Sequence, residues 1–324
     1  MVAGIALFSG GLDSILAVRL LQDQNIHIEA VAFTTPFFGA DTAEKHVRQL
    51  GVGLHVIDIT EQHFTMLKSP RYGYGKHMNP CIDCHALMFR QAGSLMEKMG
   101  AHFIFSGEVL GERPMSQNKN SLHIVARLSG FEDYILRPLS AQLLPVTKPE
   151  QEGLVDREKL LAIQGRSRKP QIELARRFGI TEYPGPAGGC KLTADGFSSR
   201  LKDLLAHDEN PDRRDLELLS LGRHLRIHDG CKIIVGRNMK ENSRINELSC
   251  SRDTVLTTEA VPGPTVLVPG GAADDTLMRA ASICARYSDA QRNAAVAVLI
   301  KTATDTARIF AVSCSEETIK DCMI

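Results

Sequence analysis

The sequence predicts an α/β protein in which a doubly wound parallel sheet is followed by a smaller α+β domain. Three observations predict this class. The first hundred residues alternate short apolar runs with amphipathic stretches of helical spacing. A glycine-rich turn joins the first apolar run to the first of these stretches. A polar segment, residues 206–216, precedes a second series of apolar runs. We therefore expect one domain over residues 1–205 and another over residues 206–324.

Four strands and three helices are predicted in the first domain. The apolar runs predict strands over residues 4–8, 28–33, 54–59 and 102–106, and the amphipathic stretches predict helices over residues 13–24, 41–50 and 83–100. Ligands of doubly wound sheets bind outside the carboxyl ends of the strands. The loops at Ser9, Thr34 and Gly107 are therefore expected to share one crevice.

The rest of the chain has less regular patterns. Residues 156–178 predict a basic helical segment. Residues 183–189, with the sequence YPGPAGG, predict a loop because two prolines and three glycines disfavour regular structure. Residues 206–216 predict the linker between the domains. In the second domain, strands are predicted over residues 231–235, 254–258 and 265–268, and a helix over residues 274–287.

Composition limits the classes of protein that this chain represents. Its 324 residues and 43% apolar content suffice to fill a core in each of two domains. No apolar run reaches the roughly 18 to 20 residues of a membrane span, and the first residues lack the features of a secretion signal. We therefore expect a cytoplasmic protein without a membrane partner, whose eight cysteines are reduced thiols, metal ligands or redox groups.

The turn after the first predicted strand has the residues of a phosphate-binding loop: Ser9, Gly10, Gly11, Leu12, Asp13 and Ser14. Backbone N–H groups of a glycine turn and of a helix N-terminus attract phosphate. The serine hydroxyls add donors, and Asp13 is suited to hold a magnesium ion, Mg²⁺. The turn lacks the Gly-Lys-Ser or Gly-Lys-Thr ending of kinases and GTPases, and it lacks the GxGxxG spacing of dinucleotide folds.

Three cysteines predict a reactive or metal-binding site. Cys81 and Cys84 form a CxxC motif at the start of a predicted helix, where the dipole favours thiolate, and Cys190 lies in a glycine-rich loop. In one interpretation Cys81 and Cys190 are a pair in which one thiol carries a persulfide and the other resolves it. In a second, all three bind irons of a [4Fe-4S] cluster whose fourth iron is open. A zinc site with His85 as an additional ligand is a third. The other five cysteines lack metal-like spacing, and no role is predicted for them.

Two basic segments, residues 157–177 and 223–244, are candidate RNA contacts although the formal net charge of the chain is zero. The first segment has seven basic residues against two acidic ones. Each segment alone is also explained as the solvated face of a helix. The candidate RNA-binding side chains in these segments are Arg166, Arg168, Lys169, Arg237, Asn238 and Lys240.

The turn SGGLDS resembles the pyrophosphate loop of the PP-loop ATPases, and the order SGGLDS, NPCxxC, GGCxLT is similar to the tRNA thiouridine synthases of that superfamily. The resemblance implies that ATP is split into AMP and pyrophosphate, that the AMP is placed on a uridine oxygen of tRNA, and that sulfur then replaces this oxygen. It also implies an adenine site near residues 32–34. Phe33 and Gly107 are therefore expected to line the nucleotide site.

The same resemblance implies that Asp13, Cys81 and Cys190 are catalytic. In the branch of these synthases that uses a persulfide, an Asp usually stands where this sequence has Cys81. This departure favours the iron-sulfur branch, in which Cys81, Cys84 and Cys190 bind a [4Fe-4S] cluster. The sulfur donor is then sulfide or a persulfide carrier.

Residues 220–300 are similar to the RNA-binding domain of the NFACT proteins, which implies tRNA as a partner. Glu108 and Arg113 either contact ATP, magnesium or substrate, or form a charged surface turn.

Two other functions stay open. One is a PP-loop ligase that forms an amide or amidine with a nitrogen nucleophile and does not need the cysteines. The other is an RNA-binding module with a regulatory nucleotide site. The sequence also leaves a homodimer open.

Overall fold

The computed structural model describes residues 1–186 and 190–324, and its contacts divide the chain into two compact units, Met1–Thr193 and Ala194–Ile324. This division falls twelve residues before the boundary that we predicted after residue 205. Residues 187–189, which belong to the predicted loop 183–189, lie outside the described residues.

The first unit contains a five-stranded parallel sheet. Its strands are β1 (Ala3–Leu7), β2 (His27–Thr34), β3 (Gly53–Asp58), β4 (Phe103–Ser106) and β5 (Ile135–Leu136). They are ordered β3-β2-β1-β4-β5, and every neighbouring pair is parallel. The four predicted strands agree with β1 to β4 within one or two residues, and only the two-residue β5 was not predicted. The predicted doubly wound parallel sheet is therefore confirmed.

Among the described residues of this unit, seven α-helices accompany these strands. They are α1 (Leu12–Gln22), α2 (Asp41–Val47), α3 (Thr60–Lys68), α4 (Cys81–Met99), α5 (Lys119–Ser129), α6 (Lys148–Gln151) and α7 (Lys169–Arg177). The prediction of a continuous helical segment over residues 156–178 was wrong, since only α7 and one 3-10 turn at Arg157–Lys159 are helical there. Gly165 has a φ of 85°, in the left-handed region, and Gln164 forms a bridge with Leu110, so the backbone between the 3-10 turn and helix α7 is not helical.

The sheet of the first unit has an apolar core on each face. Successive residues of a strand point to opposite faces, so Ile5 packs in one cluster with Ile104, whereas Ala6 packs in the other with Phe105. A further cluster joins helix α7 to the start of helix α1. It consists of Leu12, Leu16, Val109, Leu139, Leu174 and Ala175.

The second unit contains a six-stranded antiparallel sheet. Its helices are α8 (Asp195–His207), α9 (Arg213–Leu218), α10 (Met239–Leu248), α11 (Asp274–Arg286) and α12 (Glu316–Cys322). Its strands are β6 (Arg223–His228), β7 (Cys231–Val235), β8 (Thr254–Thr258), β9 (Val266–Val268), β10 (Ala295–Lys301) and β11 (Thr306–Val312). The sheet order is β11-β10-β8-β9-β7-β6, and helix α11 packs its apolar face on this sheet. The predicted strands and helix of this domain agree with β7, β8, β9 and α11, whereas β6, β10 and β11 were not predicted.

The predicted linker, residues 206–216, lies inside the second unit and does not join two units. Its polar residues have local structural partners. Asp212 and Asp215 form a capping box at the start of helix α9, and Arg214 pairs with the buried carboxylate of Asp253. Leu216 is buried. The same residue types occur in linkers and in helix caps, which is why composition alone suggested the wrong element.

No helix among the described residues combines the length and the apolar character that crossing a membrane requires.

Candidate functional site

The predicted phosphate loop lies between strand β1 and helix α1, at the carboxyl edge of the sheet. Gly10 has a φ of 73°, and a Cβ atom there would come within 2.3 Å of the Thr42 carbonyl oxygen, so only glycine fits. The Ser14 hydroxyl donates to the Gly11 carbonyl oxygen at 2.8 Å, and the Gly11 N–H donates to Ser9 Oγ at 3.3 Å. These contacts fix the conformation of the turn at the start of helix α1.

The loop after strand β4 packs directly on this turn. A Cβ atom on Gly107 would lie 2.4 Å from the carbonyl carbon of Asp13, so the two backbones touch there. The predicted proximity of Ser9 and Gly107 is thus seen in the structure. The side chains of Leu12 and Phe33 are buried in the apolar core, so these residues offer only backbone groups to a nucleotide.

Asp13 is the charged side chain of the phosphate loop. Its Oδ1 atom is buried and has no hydrogen-bond partner among the described residues. Burial raises the pKa of this carboxyl, and Arg168, Gln171 and Arg113 offset only part of that effect. A buried carboxylate oxygen without a donor is the kind of ligand that Mg²⁺ binds, so the residue present fits the predicted magnesium role.

The three predicted cysteines come together although Cys190 lies 106 positions after Cys84 in the sequence. Cys81 is the first residue of helix α4, and Cys84 lies one turn later. Burial strongly raises the pKa of the Cys84 thiol, and nearby Cys190 and Cys81 raise it further. Burial also raises the pKa of Cys190, and Cys81 adds to this rise. Each thiol therefore lies close enough to the other two to oppose their negative charge.

Cys190 is positioned by the residue that follows it. The Lys191 N–H donates to the Phe37 carbonyl oxygen at 3.1 Å, and Lys191 Nζ donates to the Pro36 carbonyl oxygen at 2.9 Å. Pro36 and Phe37 follow strand β2, so these bonds hold Cys190 at the carboxyl edge of the sheet. The Leu192 and Thr193 N–H groups oppose the rise in the pKa of Cys190.

Cys81 is positioned by buried polar residues on either side of it. Asn79 Nδ2 donates to Cys81 Sγ at 3.2 Å, and Asn79 Oδ1 accepts from the His77 N–H at 3.2 Å. The Asp83 carboxylate accepts the N–H groups of Arg71 and Tyr72 at 3.1 and 2.9 Å. The loop before helix α4 is thereby tied to the helix that carries the CxxC motif.

A buried ion network links the cysteine helix to the loop after strand β4. Glu108 Oε1 lies 2.8 Å from His85 Nδ1, and Glu108 Oε2 accepts from Arg137 Nε at 2.8 Å. Burial alone would raise the pKa of Glu108, but Arg137 and His85 outweigh it and lower the pKa to about 2. Glu108 and Arg137 are each 7% exposed. Of the two predicted roles for Glu108, the charged surface turn is therefore wrong.

The donor set at the cysteines is three thiols. Among the residues that the structure describes, no group of three or more His, Cys, Asp or Glu side chains is arranged around a point where one metal ion would be held. A zinc ion needs four ligands around one point, whereas cysteines that bind three different irons of a cluster lie farther apart. Three thiols match the ligands that a cluster with one open iron needs, and His85 Nδ1 is bonded to Glu108, so only Nε2 of that ring is left as a fourth zinc ligand.

The predicted RNA-binding residues of the first unit occupy different environments. Arg166 and Lys169 are exposed. Arg168 is half-buried and interacts electrostatically with Asp13 of the phosphate loop. The structure thus places one of the three beside the predicted nucleotide site.

The predicted RNA-binding residues of the second unit lie at the exposed start of helix α10. The Asn238 side chain caps this helix by accepting the Glu241 N–H at 3.0 Å, and the Arg237 guanidinium pairs with the Glu241 carboxylate. Lys240 is exposed and has no hydrogen bond or ion pair within the described part of the chain. Of the two cations at this helix end, Arg237 and Lys240, Lys240 is therefore the more available to a phosphate.

Three buried polar residues of the first unit gave too little signal in the sequence to be chosen as site residues. Asn79 was visible only as the residue before the Pro-Cys pair, and Arg137 only as part of the segment RPLS. Gln171 gave no signal, because a lone glutamine in a basic segment is typical of a solvated helix face.

Comparisons with known proteins match each unit separately. Residues 2–142 match the family model described as Thiamine biosynthesis protein (ThiI), and residues 222–323 match the family model described as NFACT protein RNA binding domain. Both resemblances predicted from the sequence are thereby confirmed.

A curated relative and three solved structures resemble parts of the chain. The relative is "Probable tRNA sulfurtransferase" of Staphylococcus aureus (strain MRSA252), 28% identical over 146 residues that cover 42% of this chain and 33% of the relative. The chain thus spans about a third of the relative's length. A predicted tRNA methyltransferase subunit of Methanocaldococcus jannaschii has a TM-score of 0.35 at 13% identity, covering 55% of this chain and 76% of that chain. A 4-thiouridine synthetase–RNA complex with bound ATP has a TM-score of 0.33 at 20% identity, covering 55% of this chain and 51% of that chain. An NMN synthetase from Francisella tularensis has a TM-score of 0.29 at 13% identity, covering 57% of this chain and 89% of that chain.

Proposed function

The chain joins a PP-loop domain of the tRNA thiouridine synthase type to an RNA-binding domain of the NFACT type, and from this premise we propose that it is an ATP-dependent tRNA uridine thiolase. ATP would bind at the loop from Ser9 to Ser14, and tRNA would bind chiefly through the second unit. The acceptor is a uridine carbonyl oxygen, and the product is a thiouridine.

One observation carries this proposal: the phosphate loop and the three thiols lie along the carboxyl edge of the same parallel sheet. Gly107 touches Asp13, and the next residue, Glu108, is bonded to His85, which follows Cys84 on helix α4. A continuous set of contacts thus joins the loop that would hold the triphosphate to the helix that carries Cys81 and Cys84. A ligase that transfers only nitrogen has no use for three converging thiols at this place.

The first step of the proposed reaction activates the uridine oxygen. This oxygen attacks the α-phosphate of ATP, a P–O bond forms, and pyrophosphate leaves with the electrons of the broken P–O bond. The loop N–H groups at Gly10 and Gly11 would stabilise charge on the phosphates. Magnesium held by Asp13 would neutralise further charge on the triphosphate.

The second step exchanges oxygen for sulfur. Hydrosulfide adds to the activated carbon, a C–S bond forms, and the C–O bond breaks so that AMP leaves with the former uridine oxygen. A [4Fe-4S] cluster on Cys81, Cys84 and Cys190 would supply the hydrosulfide at its open iron. Asn79 holds Cys81 in position by donating to its sulfur, and the bond from Lys191 to Pro36 holds the neighbouring Cys190.

A persulfide pair is the alternative chemistry for the same thiols. Cys81 would carry the persulfide, and Cys190 would attack it to form a disulfide as the outer sulfur is transferred. This version needs only two of the three cysteines, so Cys84→Ser distinguishes the two versions. Cys84→Ser is expected to abolish thiolation if the thiols bind a cluster and to leave most of the thiolation activity if Cys81 and Cys190 form a persulfide pair.

The cluster is tested by iron and sulfide analysis of protein purified without oxygen. The proposal predicts about four irons and four sulfides per chain in the wild-type protein, loss of both in Cys81→Ala, and retention in Cys250→Ala, which changes an exposed cysteine of the second unit. Wild-type protein that stays free of iron after reconstitution would exclude the cluster and leave the persulfide pair.

The ATP chemistry is tested by measuring AMP and pyrophosphate with and without tRNA. The proposal predicts release of both products when unmodified tRNA is added. Nucleotide binding without product release would instead favour an RNA-binding module with a regulatory nucleotide site. Product release that depends on an added amine or ammonia, and that is unchanged in a variant without the three cysteines, would favour a nitrogen ligase.

A further inference from the structure

Buried polar atoms without partners surround the end of the phosphate loop. Gln171 lies in the first turns of helix α7 and is 0% exposed, yet neither Oε1 nor Nε2 forms a hydrogen bond of normal geometry with the described residues. Its amide lies close enough to the Asp13 carboxylate to favour the charged form of that group. Asp13 Oδ1 is also buried without a partner. A buried polar group without a partner is unfavourable, so these atoms fit a site that a ligand completes.

Apolar packing holds Gln171 at this place. Leu174 and Ala175 of helix α7 share a buried cluster with Leu12 and Leu16, which flank Asp13 on helix α1. This packing holds the backbone of Gln171 beside the start of helix α1, and the complete burial of the side chain restricts the positions of its amide. A side chain restricted in this way is a preorganised part of a site.

Two guanidinium groups lie near the same carboxylate. Arg168 immediately precedes helix α7, and Arg113 belongs to the loop after strand β4; both interact electrostatically with Asp13 and with Glu112. Neither guanidinium has a hydrogen bond or an ion pair within the described part of the chain. Two carboxylates and two unpaired guanidiniums thus converge at the mouth of the phosphate loop.

The backbones that carry the two arginines are joined to each other. The Gly165 N–H donates to the Leu110 carbonyl oxygen at 2.7 Å, and Leu110 forms a parallel bridge with Gln164. A Cβ atom on Gly111 would lie only 3.5 Å from the Gly165 nitrogen. The loop that carries Arg113 and the segment that leads to Arg168 therefore form one frame.

We propose that Arg113, Arg168 and Gln171 form a second wall of the ATP site, opposite the glycine turn, and that the two guanidiniums bind the phosphates that leave as pyrophosphate. Guanidinium groups bind phosphate oxygens through charge-assisted bonds. The carboxylates of Asp13 and Glu112 face the cation that accompanies the triphosphate, and Gln171 orients Asp13. This inference rests on the proposed ATP site, and it assigns Arg168 to the nucleotide and not to RNA.

Binding of ATP to the full chain in the absence of tRNA tests this assignment. Calorimetric titration with MgATP is expected to show affinities weakened by about tenfold or more in Arg168→Ala and in Arg113→Ala. The control is Arg176→Ala, which changes an exposed residue of the same helix and is expected to leave ATP affinity unchanged. Gln171→Leu, which keeps the volume but removes the amide, is expected to weaken MgATP more than it weakens ATP in EDTA.

Binding of tRNA in the absence of ATP completes the test. Arg168→Ala is expected to bind tRNA as tightly as the wild-type protein. Arg168→Ala protein that binds ATP normally but loses tRNA affinity would overturn the assignment and return Arg168 to the RNA surface. Circular dichroism spectra and melting curves confirm that each variant is folded. Wild-type protein that binds no ATP would contradict the proposed function itself, and the inference with it.

Discussion

The side-chain amide of Asn79 donates a hydrogen bond to Cys81 Sγ at a distance of 3.2 Å. The orientation of this amide is fixed because its oxygen accepts the His77 N–H. Asn79 is buried, so the donor is shielded from water. A donor directed at sulfur stabilises the anionic sulfur that metal binding and nucleophilic chemistry require. Asn79 is therefore a positioning residue for whichever chemistry Cys81 performs.

Changes of Asn79 are expected to slow the reaction of Cys81 with iodoacetamide in metal-free protein. Asn79→Ala removes the donor and should lower the rate roughly three- to tenfold, the effect of one hydrogen bond. Asn79→Asp keeps the acceptor for the His77 N–H but places negative charge beside the sulfur, so it should lower the rate further. Peptide mass spectrometry measures both, with exposed Cys250 of the same protein as the reference. Equal rates for Cys81 in all three proteins would show that this bond has no effect on the sulfur.

Removing the charge of Glu108 is expected to destabilise the first unit. Glu108→Gln leaves the buried Arg137 guanidinium without its counter-ion, which costs about 3–5 kcal/mol of unfolding free energy. The matched control is Glu152→Gln, whose exposed pair with Lys148 should contribute less than about 1 kcal/mol. Urea denaturation followed by circular dichroism measures both losses. Similar losses in the two variants would contradict the importance of the buried network.

The same carboxylate predicts how stability changes in acid. The pKa of Glu108 is lowered from 4.5 in the unfolded chain to about 2 in the fold. Its contribution is therefore complete above about pH 4.5 and is lost as the pH falls towards 2. The stability difference between wild-type protein and Glu108→Gln should shrink over this range.

His63 predicts a second pH effect, at higher pH. The ring is fully buried between Phe37 and Phe38, with centroid distances of 5.4 Å to each, and neither ring nitrogen has a hydrogen-bond partner among the described residues. Burial lowers the pKa of His63 from 6.5 to about 4. The unfolded chain therefore binds a proton that the fold excludes, and stability falls as the pH falls from 6.5 towards 4.

The variant His63→Phe removes this titration and should flatten the dependence of the first unit's unfolding free energy on pH. The free energies of unfolding of wild-type and variant protein should diverge by up to about 1.4 kcal/mol per pH unit between pH 6.5 and 4. Scanning calorimetry at several pH values measures this, with exposed His123→Gln as the control. Parallel profiles for His63→Phe and the wild type would show that the buried ring does not govern acid stability.

Lys240 and Asn238 are neighbours at the start of helix α10 but are expected to have different roles. Lys240→Ala should lower tRNA affinity and reduce the slope of log K against log salt concentration by about one, because one exposed cation is lost. Asn238→Ala should leave this slope unchanged and lower the unfolding free energy by about 1 kcal/mol, because the cap is lost. Fluorescence anisotropy at several salt concentrations measures the slopes, with Lys320→Ala on helix α12 as the control. An unchanged slope in Lys240→Ala would exclude this helix end from the RNA surface.

Local patterns predicted the parts of the fold that local physics determines. The apolar runs of the first unit predicted strands β1, β2 and β4 because a buried strand needs apolar residues on both faces. The two glycines predicted the turn between strand β1 and helix α1, because Gly10 needs a positive φ and close packing on Thr42. Both features depend on neighbours along the chain, which the sequence displays directly.

Long-range packing determined the features that the sequence did not predict. Gln171 is buried because helix α7 packs on helix α1, and nothing near it in the sequence signals that contact. Arg168 lies beside Asp13 for the same reason. The predicted linker failed because the acidic residues near Asp212 cap a helix instead of joining two units.

The most direct test of cysteine-dependent tRNA thiolation is the formation of thiouridine, measured by mass spectrometry of nucleosides from unmodified tRNA incubated with protein, ATP and sulfide without oxygen. The account predicts ATP-dependent thiouridine with the wild-type protein and with Cys250→Ala, and none with the Cys81→Ala, Cys190→Ala double variant. Unaltered thiouridine formation in that double variant would contradict it.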